Sequence, residues 1–170
     1  MPPAHGPVVV NAAGAWGDEV ARSAGVAPLG LQPKRRTAAL IDVPAGLEAA
    51  RWPAAIAIDE QFYFKPDAGL LLISPADETD SPPCDAQPGP TVRDAANLCT
   101  GRLLEAIHGD RHVEFLGLRV FSPDRTPVAG FDPEADGFFW LVGQGGYGIQ
   151  TADALARSTA ALCVDGELPR

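Results

Sequence analysis

The sequence predicts a mixed α/β (α+β) fold, with antiparallel strands through the middle of the chain and a lone strand–helix unit at each end. Three observations carry that expectation. A β-branched run, Val8-Val9-Val10, turns through Asn11-Ala12-Ala13-Gly14 into a helical stretch. Between residues 37 and 73, short apolar runs alternate with Pro, Asp and Gly signals. Near the C-terminal end, Phe138-Phe139-Trp140-Leu141-Val142 leads through a cluster of glycines into a second helical stretch.

Taken in order, Val8–Val10 suits a parallel strand buried on both faces better than an edge strand. A helix over Ala15–Arg22 follows and stops near Gly25. A strand that turns through small residues into a helix brings backbone N–H groups up to a ligand. Strands are expected at Thr37–Ile41, Ala55–Ile58, Phe62–Lys65 and Leu70–Ile73. The last two form a hairpin around a four-residue loop, Pro66–Gly69. Residues 75–90, rich in Pro, Asp and Ser, read as a surface loop whose carboxylates are solvated. Val92, Ala95, Ala96, Leu98, Cys99, Leu103 and Leu104 make an apolar stripe, so a helix spans 91–107 until Gly109 stops it. Strands at Val113–Phe121, Pro127–Phe131 and Phe138–Gly143 and a helix over Gly146–Val164 complete the chain. The lone strand at residue 8 needs parallel neighbours that the following segments do not supply. Another chain, or polypeptide upstream, is therefore expected to complete its sheet.

Composition excludes several classes of function. Thirteen Lys and Arg stand against 22 Asp and Glu, a formal charge of -9. Nucleic-acid binding needs clustered cations, and the one tight group, Lys34-Arg35-Arg36, is short and expected to be exposed. No apolar run approaches the roughly 20 residues of a membrane span, and the start of the chain lacks signal-peptide character. Three cysteines without CxxC spacing point to free thiols and a cytoplasmic protein. His108 and His112 are separated by Gly109 and Asp110, which argues against a metal pair. Ser74 and Ser122 lack the glycine-elbow context of a nucleophile.

Gly143-Gln144-Gly145-Gly146-Tyr147-Gly148 matches GxGxxG between a strand and a helix. A dinucleotide fingerprint also needs a second strand and an acidic residue about 20 positions on. The 22 residues after Gly148 hold one helix and a tail, so the ADP-binding reading is rejected. The turn keeps its local physics: glycines permit close approach, and a helix N-terminus offers N–H donors and partial positive charge. Tight steric packing of the turn is the alternative.

Three segments together resemble one family, the FAD-dependent oxidoreductases related to D-amino-acid oxidase, glycine oxidase and sarcosine oxidase. Val8–Trp16 is similar to that family's cofactor-touching strand-to-helix turn. Gly117-Leu118-Arg119-Val120-Phe121 through Gly130 resembles the segment that carries a substrate-carboxylate arginine. Leu141–Ala152 resembles the turn facing the flavin's pyrimidine edge. The family's own dinucleotide motif and its ribose-binding acid belong to an N-terminal half that this chain lacks, and the Arg of Gly-Leu-Arg is usually followed by Pro where Val120 stands here.

The resemblance implies remnants of the FAD-binding Rossmann-type domain at residues 1–30 and 122–170. A central antiparallel substrate-binding sheet with a flanking helix would occupy 31–121. It implies FAD as cofactor, an amino acid or amine as substrate, and hydride transfer to flavin N5 without a protein nucleophile. A second chain or second copy would complete the FAD domain; a non-catalytic fragment or split-enzyme subunit is the alternative. Arg119 and Tyr63 are the substrate-binding residues. Ala13, Gly14, Trp16, Gly145, Gly146, Tyr147, Gly148, Ile149 and Gln150 are the cofactor-binding ones. Arg119 shares a strand face with Phe115, Gly117 and Phe121, and its planar fork suits a carboxylate. A structural ion pair with Asp124 or Glu114 is the alternative role.

Overall fold

The computed structural model describes residues 7–43, 46–86 and 111–168, with 111–116 described as backbone alone. It is mixed α/β, with two sheets and two helices among these residues. The elements are β1 (Val9–Asn11), a 3-10 turn at Gly14–Trp16, α1 (Gly17–Ser23), β2 (Gln32–Ile41) and a 3-10 turn at Ala49–Arg51. Then come β3 (Ala55–Ile56), β4 (Tyr63–Asp67), β5 (Leu70–Ser74), β6 (Thr79–Asp80), β7 (Arg111–Phe121), β8 (Val128–Phe131), β9 (Phe138–Val142) and α2 (Gly148–Val164). The helix expected over residues 91–107 lies outside the described residues.

The chain divides into two compact units. One comprises Met1–Lys34, Ser81–Cys84 and Arg119–Arg170; the other comprises Arg35–Asp80 and Asp85–Leu118.

In the first unit, β9 is the central strand of the order β1-β9-β8, parallel to β1 and antiparallel to β8. Successive side chains of β9 point to opposite faces. Phe138, Trp140 and Val142 pack with Ala21 and Val26 in a core that also takes Leu29 and Leu31. On the other face Phe139 meets Phe131 edge to face, with ring centroids 5.0 Å apart. The Trp140 indole N–H donates to Asp132 at 2.9 Å. That bond, followed by the Glu134 N–H, holds the Asp132 carboxyl below its usual range. α2 lies against β8.

β1 is parallel, as its β-branched run predicts, but it is not buried on both faces. Val9 and Val10 are 54% and 43% exposed, and only the third residue, Asn11, is buried. The cause is that β9 is its only strand neighbour among the described residues.

The second sheet runs β3-β4-β5-β2-β6, and β7 also pairs with β2. Ala39, Ile41, Ala49, Leu71 and Ile73 form the core of the second unit, with Val43, Trp52 and Phe64 against them. The β4–β5 hairpin is tighter than the sequence predicts. Asp67 pairs directly with Leu70, leaving a two-residue turn at Ala68 and Gly69 with φ values of 49° and 88°. Two positive φ values define the type I′ geometry that matches strand twist. Pro66 sits within the strand opposite Leu71.

Two further expectations are corrected. Residues 75–86 are not simply a solvated loop, because β6 interrupts them and Asp77 takes the Thr37 N–H at 2.7 Å and its hydroxyl at 2.9 Å. Lys34-Arg35-Arg36 is not an exposed cluster either. It lies within β2, where Arg36 pairs with Glu78 at 3.1 Å and keeps only 13% of its side chain exposed. The acidic segment thus neutralises Arg36 and bonds the middle of β2 at Thr37.

Candidate functional site

Because β1 and β9 are parallel and pair as far as Asn11 opposite Trp140, the chain leaves both at the same end of the sheet. Each strand then turns through glycine into a helix. Ligands of open α/β sheets bind outside the carboxyl ends of such strands.

Side-chain hydrogen bonds organise the first turn. Asn11 is 2% exposed; its amide N–H₂ donates to the Gly17 carbonyl at 2.8 Å, and its oxygen accepts from Ala13 N–H at 3.3 Å. The buried Asp18 carboxylate accepts from the N–H groups of Leu29, Gly30 and Leu31 at 3.0, 3.1 and 2.9 Å, holding the segment that follows α1. Gly17 is closely packed, since a Cβ there falls 2.7 Å from the Leu31 Cδ1 and 3.2 Å from the Val142 Cγ1, so these side chains would have to shift. Gly14 differs: its φ is +54°, and nothing lies within 4 Å of the position a Cβ would take. Ala13 is half-buried and Trp16 exposed.

The second turn is organised by packing. Gly145 has φ +52°, and its hypothetical Cβ falls 2.6 Å from the Phe121 ring. At Gly146 the corresponding position is 3.1 Å from the Arg119 guanidinium. Gly145 N–H donates to the Val120 carbonyl at 2.9 Å, and Tyr147 N–H to Gln144 O at 2.9 Å. α2 then begins at Gly148, with no side-chain cap from Tyr147 and no acidic residue in its first turn. Thr151 N–H makes the first bond of the helix, to Tyr147 O at 3.1 Å. The N–H groups of Gly148, Ile149 and Gln150 precede it and have no partner among the described residues. This end is accessible: Ile149 is 97% exposed and Tyr147 51%. The arrangement suits an anion or a polarised carbonyl edge, because the helix dipole adds partial positive charge.

Arg119, Gly145 and Gly146 are thus brought together. Arg119 is half-buried and finds no hydrogen-bond or ion-pair partner among the described residues. Asp124, one alternative partner, is engaged elsewhere. It accepts from Thr126 N–H at 2.9 Å and lies 2.9 Å from the Ser122 hydroxyl. Those bonds, Thr126 first, hold its carboxyl below the ordinary value. The side chain of Glu114, the other alternative, lies outside the described residues. Tyr63 belongs to the second unit, on the face of β4 opposite Phe64 and shared with Lys65, which pairs with Asp67 at 3.2 Å. Among the described residues no group of three His, Cys, Asp or Glu could hold a metal, and no helix is long and apolar enough to cross a membrane.

Sequence reasoning did not single out Asn11, Asp18 or Phe121. An Asn closing a strand before Ala-Ala-Gly is a recognisable local turn signal. Asp18 and Phe121 act on partners far along the chain and leave no local signature.

Two glycine turns thus stand at the carboxyl ends of adjacent parallel strands, the place where open α/β sheets take their ligands. The family is shown by comparison: a family model described as FAD dependent oxidoreductase matches residues 3–162, and the chain belongs to that family. The fold is similar to that of L-proline dehydrogenase from P. horikoshii, at 22% identity and a TM-score of 0.78, covering 95% of this chain and 44% of that one. It is also similar to glycine oxidase from Geobacillus kaustophilus, at 21% identity and a TM-score of 0.77, covering 94% and 42%. For iminodiacetate oxidase from Chelativorans sp. BNC1 the values are 18% and 0.77, covering 97% and 44%. The chain therefore spans less than half the length of these solved relatives.

Proposed function

We propose that this chain supplies the flavin-ring side and the substrate-carboxylate group of an enzyme that oxidises an amino acid, or a primary or secondary amine, to the imine. One observation carries the reading: two adjacent parallel strands end in glycine turns, one with an open glycine and one with an uncapped, acid-free helix start. Both features fit FAD, whose ring presents a polarised N1–C2 carbonyl edge that favours N–H donors and positive potential. In this reading Ala13, Gly14 and Trp16 hold the cofactor from the first turn. Gly145, Gly146, Tyr147, Gly148, Ile149 and Gln150 hold it from the second, chiefly through the backbone. Residues 1–30 and 122–170 serve the FAD-binding domain, and 31–121 the substrate sheet.

Arg119 is assigned to the substrate carboxylate, with Tyr63 lining the substrate side. An arginine with no hydrogen-bond or ion-pair partner among the described residues, whose fork suits two oxygens, supports this role. The substrates named for the proline, glycine and iminodiacetate enzymes all carry an amine beside a carboxylate, which supports the same class here. The chemistry FAD supplies when bound is acceptance of a hydride at N5 from the substrate carbon bearing the amine. The protein's own contribution is to fix the carboxylate and orient that carbon.

Titration of the purified chain with FAD tests the proposal. A perturbed flavin spectrum is expected; a chain that remains colourless after FAD addition and dialysis overturns it. In the assembled enzyme, Arg119→Ala should weaken apparent substrate affinity roughly 10- to 100-fold, the worth of a charge-assisted pair, with flavin content unchanged.

The bare β1 supports a second reading, in which the chain is a subunit or a non-catalytic piece that binds a polypeptide carrying the dinucleotide-binding half. Val9 and Val10 on a strand with one described neighbour favour it, as does the length of the solved relatives. Co-expression with such a polypeptide and size-exclusion chromatography tests it: a stable complex is expected, and separate elution argues against it.

A further inference from the structure

We infer that Phe121 is a positioning residue for the glycine turn at the start of α2 and, through that turn, for Arg119. The inference rests on the proposal that this turn faces the flavin and that Arg119 meets the substrate. Arg119 and Phe121 are two apart on β7 and so project from the same face of the strand. They grip successive residues of the turn in reverse order. The Phe121 ring fills the side-chain space of Gly145, and the Arg119 guanidinium fills that of Gly146, at 2.6 and 3.1 Å from the ideal Cβ positions. Between them the Val120 carbonyl accepts the Gly145 N–H at 2.9 Å.

The ring is held in turn. Phe121 is 3% exposed, and the Arg125 guanidinium lies over it, 4.1 Å from the ring centroid. A slip of the turn by one residue would bring Gln144 beneath the ring, where it has no room, or bring Tyr147 to the place of Gly146 against the Arg119 guanidinium. The fit therefore sets the phase of the first turn of α2, and with it the direction of the open N–H groups of Gly148–Gln150. The same fit fixes the guanidinium of Arg119 relative to those donors. Cofactor geometry and substrate geometry become one setting, made by one phenylalanine.

Amide hydrogen exchange on the chain, joined to riboflavin titration, tests this. Phe121→Leu keeps an apolar side chain with a Cδ atom but removes the Cε1 and Cζ ring atoms that lie 2.6 and 3.3 Å from the Gly145 Cβ position. Exchange over residues 144–151 should rise roughly tenfold, with residues 17–23 changing by less than about twofold. Phe121→Tyr keeps the ring and should keep the protection. Phe121→Ala combined with Gly145→Ala should exchange more slowly than the two single effects multiplied, because the vacated ring space accepts the new methyl group. Unchanged exchange in Phe121→Leu, or a rise equal throughout the chain, overturns the proposal. Riboflavin carries the ring without ADP; its affinity should fall roughly fivefold in Phe121→Leu, and equal affinity overturns the functional part. If the unaltered chain binds neither riboflavin nor FAD, the flavin reading fails, and the exchange data still decide whether Phe121 sets the turn.

Discussion

The turns that follow β1 and β9 leave the same sheet end and both contain a left-handed glycine, yet they are held in different ways. After β1, the Asn11 amide and the Asp18 carboxylate supply the bonds, and the space beside Gly14 stays open. After β9, no side-chain hydrogen bond to the Gly143–Gly146 backbone is seen among the described residues, and only at Tyr147 does the Thr151 hydroxyl donate to the carbonyl, at 2.8 Å; the spaces beside Gly145 and Gly146 are filled by Phe121 and Arg119. A polar scaffold can fix a backbone from one side and leave the other free. A steric scaffold must occupy the void it exploits. The similar glycine content of the two turns therefore has two meanings: close approach from outside at Gly14, and close approach by the protein itself at Gly145. In the second turn the accessible donors lie one step on, in the N–H groups at the start of α2 that have no partner among the described residues.

The polar half of that contrast is the more costly to break. Asp18→Ala strips the acceptor from three backbone N–H groups, each costing about 1–3 kcal/mol if left unpaired, so a total loss of roughly 3–5 kcal/mol is expected. Urea unfolding measures it as a drop in midpoint at constant slope. A loss below about 1 kcal/mol would mean that water replaces the carboxylate and that the first turn is not scaffolded in this way.

A paired substitution sharpens the glycine contrast. Gly14→Ala meets open space and suffers only the left-handed backbone cost of about 1–2 kcal/mol. Gly145→Ala carries that cost and must also push the Phe121 ring aside, for which overpacking adds about 1–3 kcal/mol. Gly145→Ala should therefore be the more damaging of the two in the same unfolding measurement. Equal losses would show that Phe121 yields freely and that both glycines are kept for backbone reasons alone.

How much of this was legible in the sequence depends on the range over which each feature acts. The strands of the second sheet declare themselves because apolar runs such as Leu70–Ile73 are punctuated by turn residues. The β9–glycine–α2 unit is equally plain. The parallel character of β1 followed from its β-branched residues, but the exposure of Val9 and Val10 did not, because burial belongs to neighbours rather than to the strand. The two-residue turn at Ala68-Gly69 was hidden by an alanine where Asn or Asp is usual for positive φ. The pairing of Asp77 with Thr37 joins residues 40 apart, and no local pattern announces it. At the site, the glycines and Arg119 were nameable from motif and resemblance. Their mutual fit was not, since it depends on β7 lying beside the turn.

The smallest expected effect concerns the loop that closes the far side of the steric scaffold, Ser122–Thr126. Asp124 there accepts from the Thr126 N–H and lies within bonding distance of the Ser122 hydroxyl, and these bonds favour its ionised form. Its folded pKa lies below the ordinary value of 3.8 that the unfolded chain retains. A depressed folded pKa means that the unfolded state binds the proton more readily. The contribution is therefore fully present above the ordinary value and is lost as pH falls through the folded one. Asp124→Asn keeps the shape and removes the titration, so its stability should fall less steeply than that of the unaltered chain as pH drops below about 4. The group is exposed, so the difference is small and best read as a change in slope rather than in stability at neutral pH. Parallel acid profiles would show that the loop is held by its backbone alone and that Asp124 has no part in keeping the Phe121 end of β7 in place.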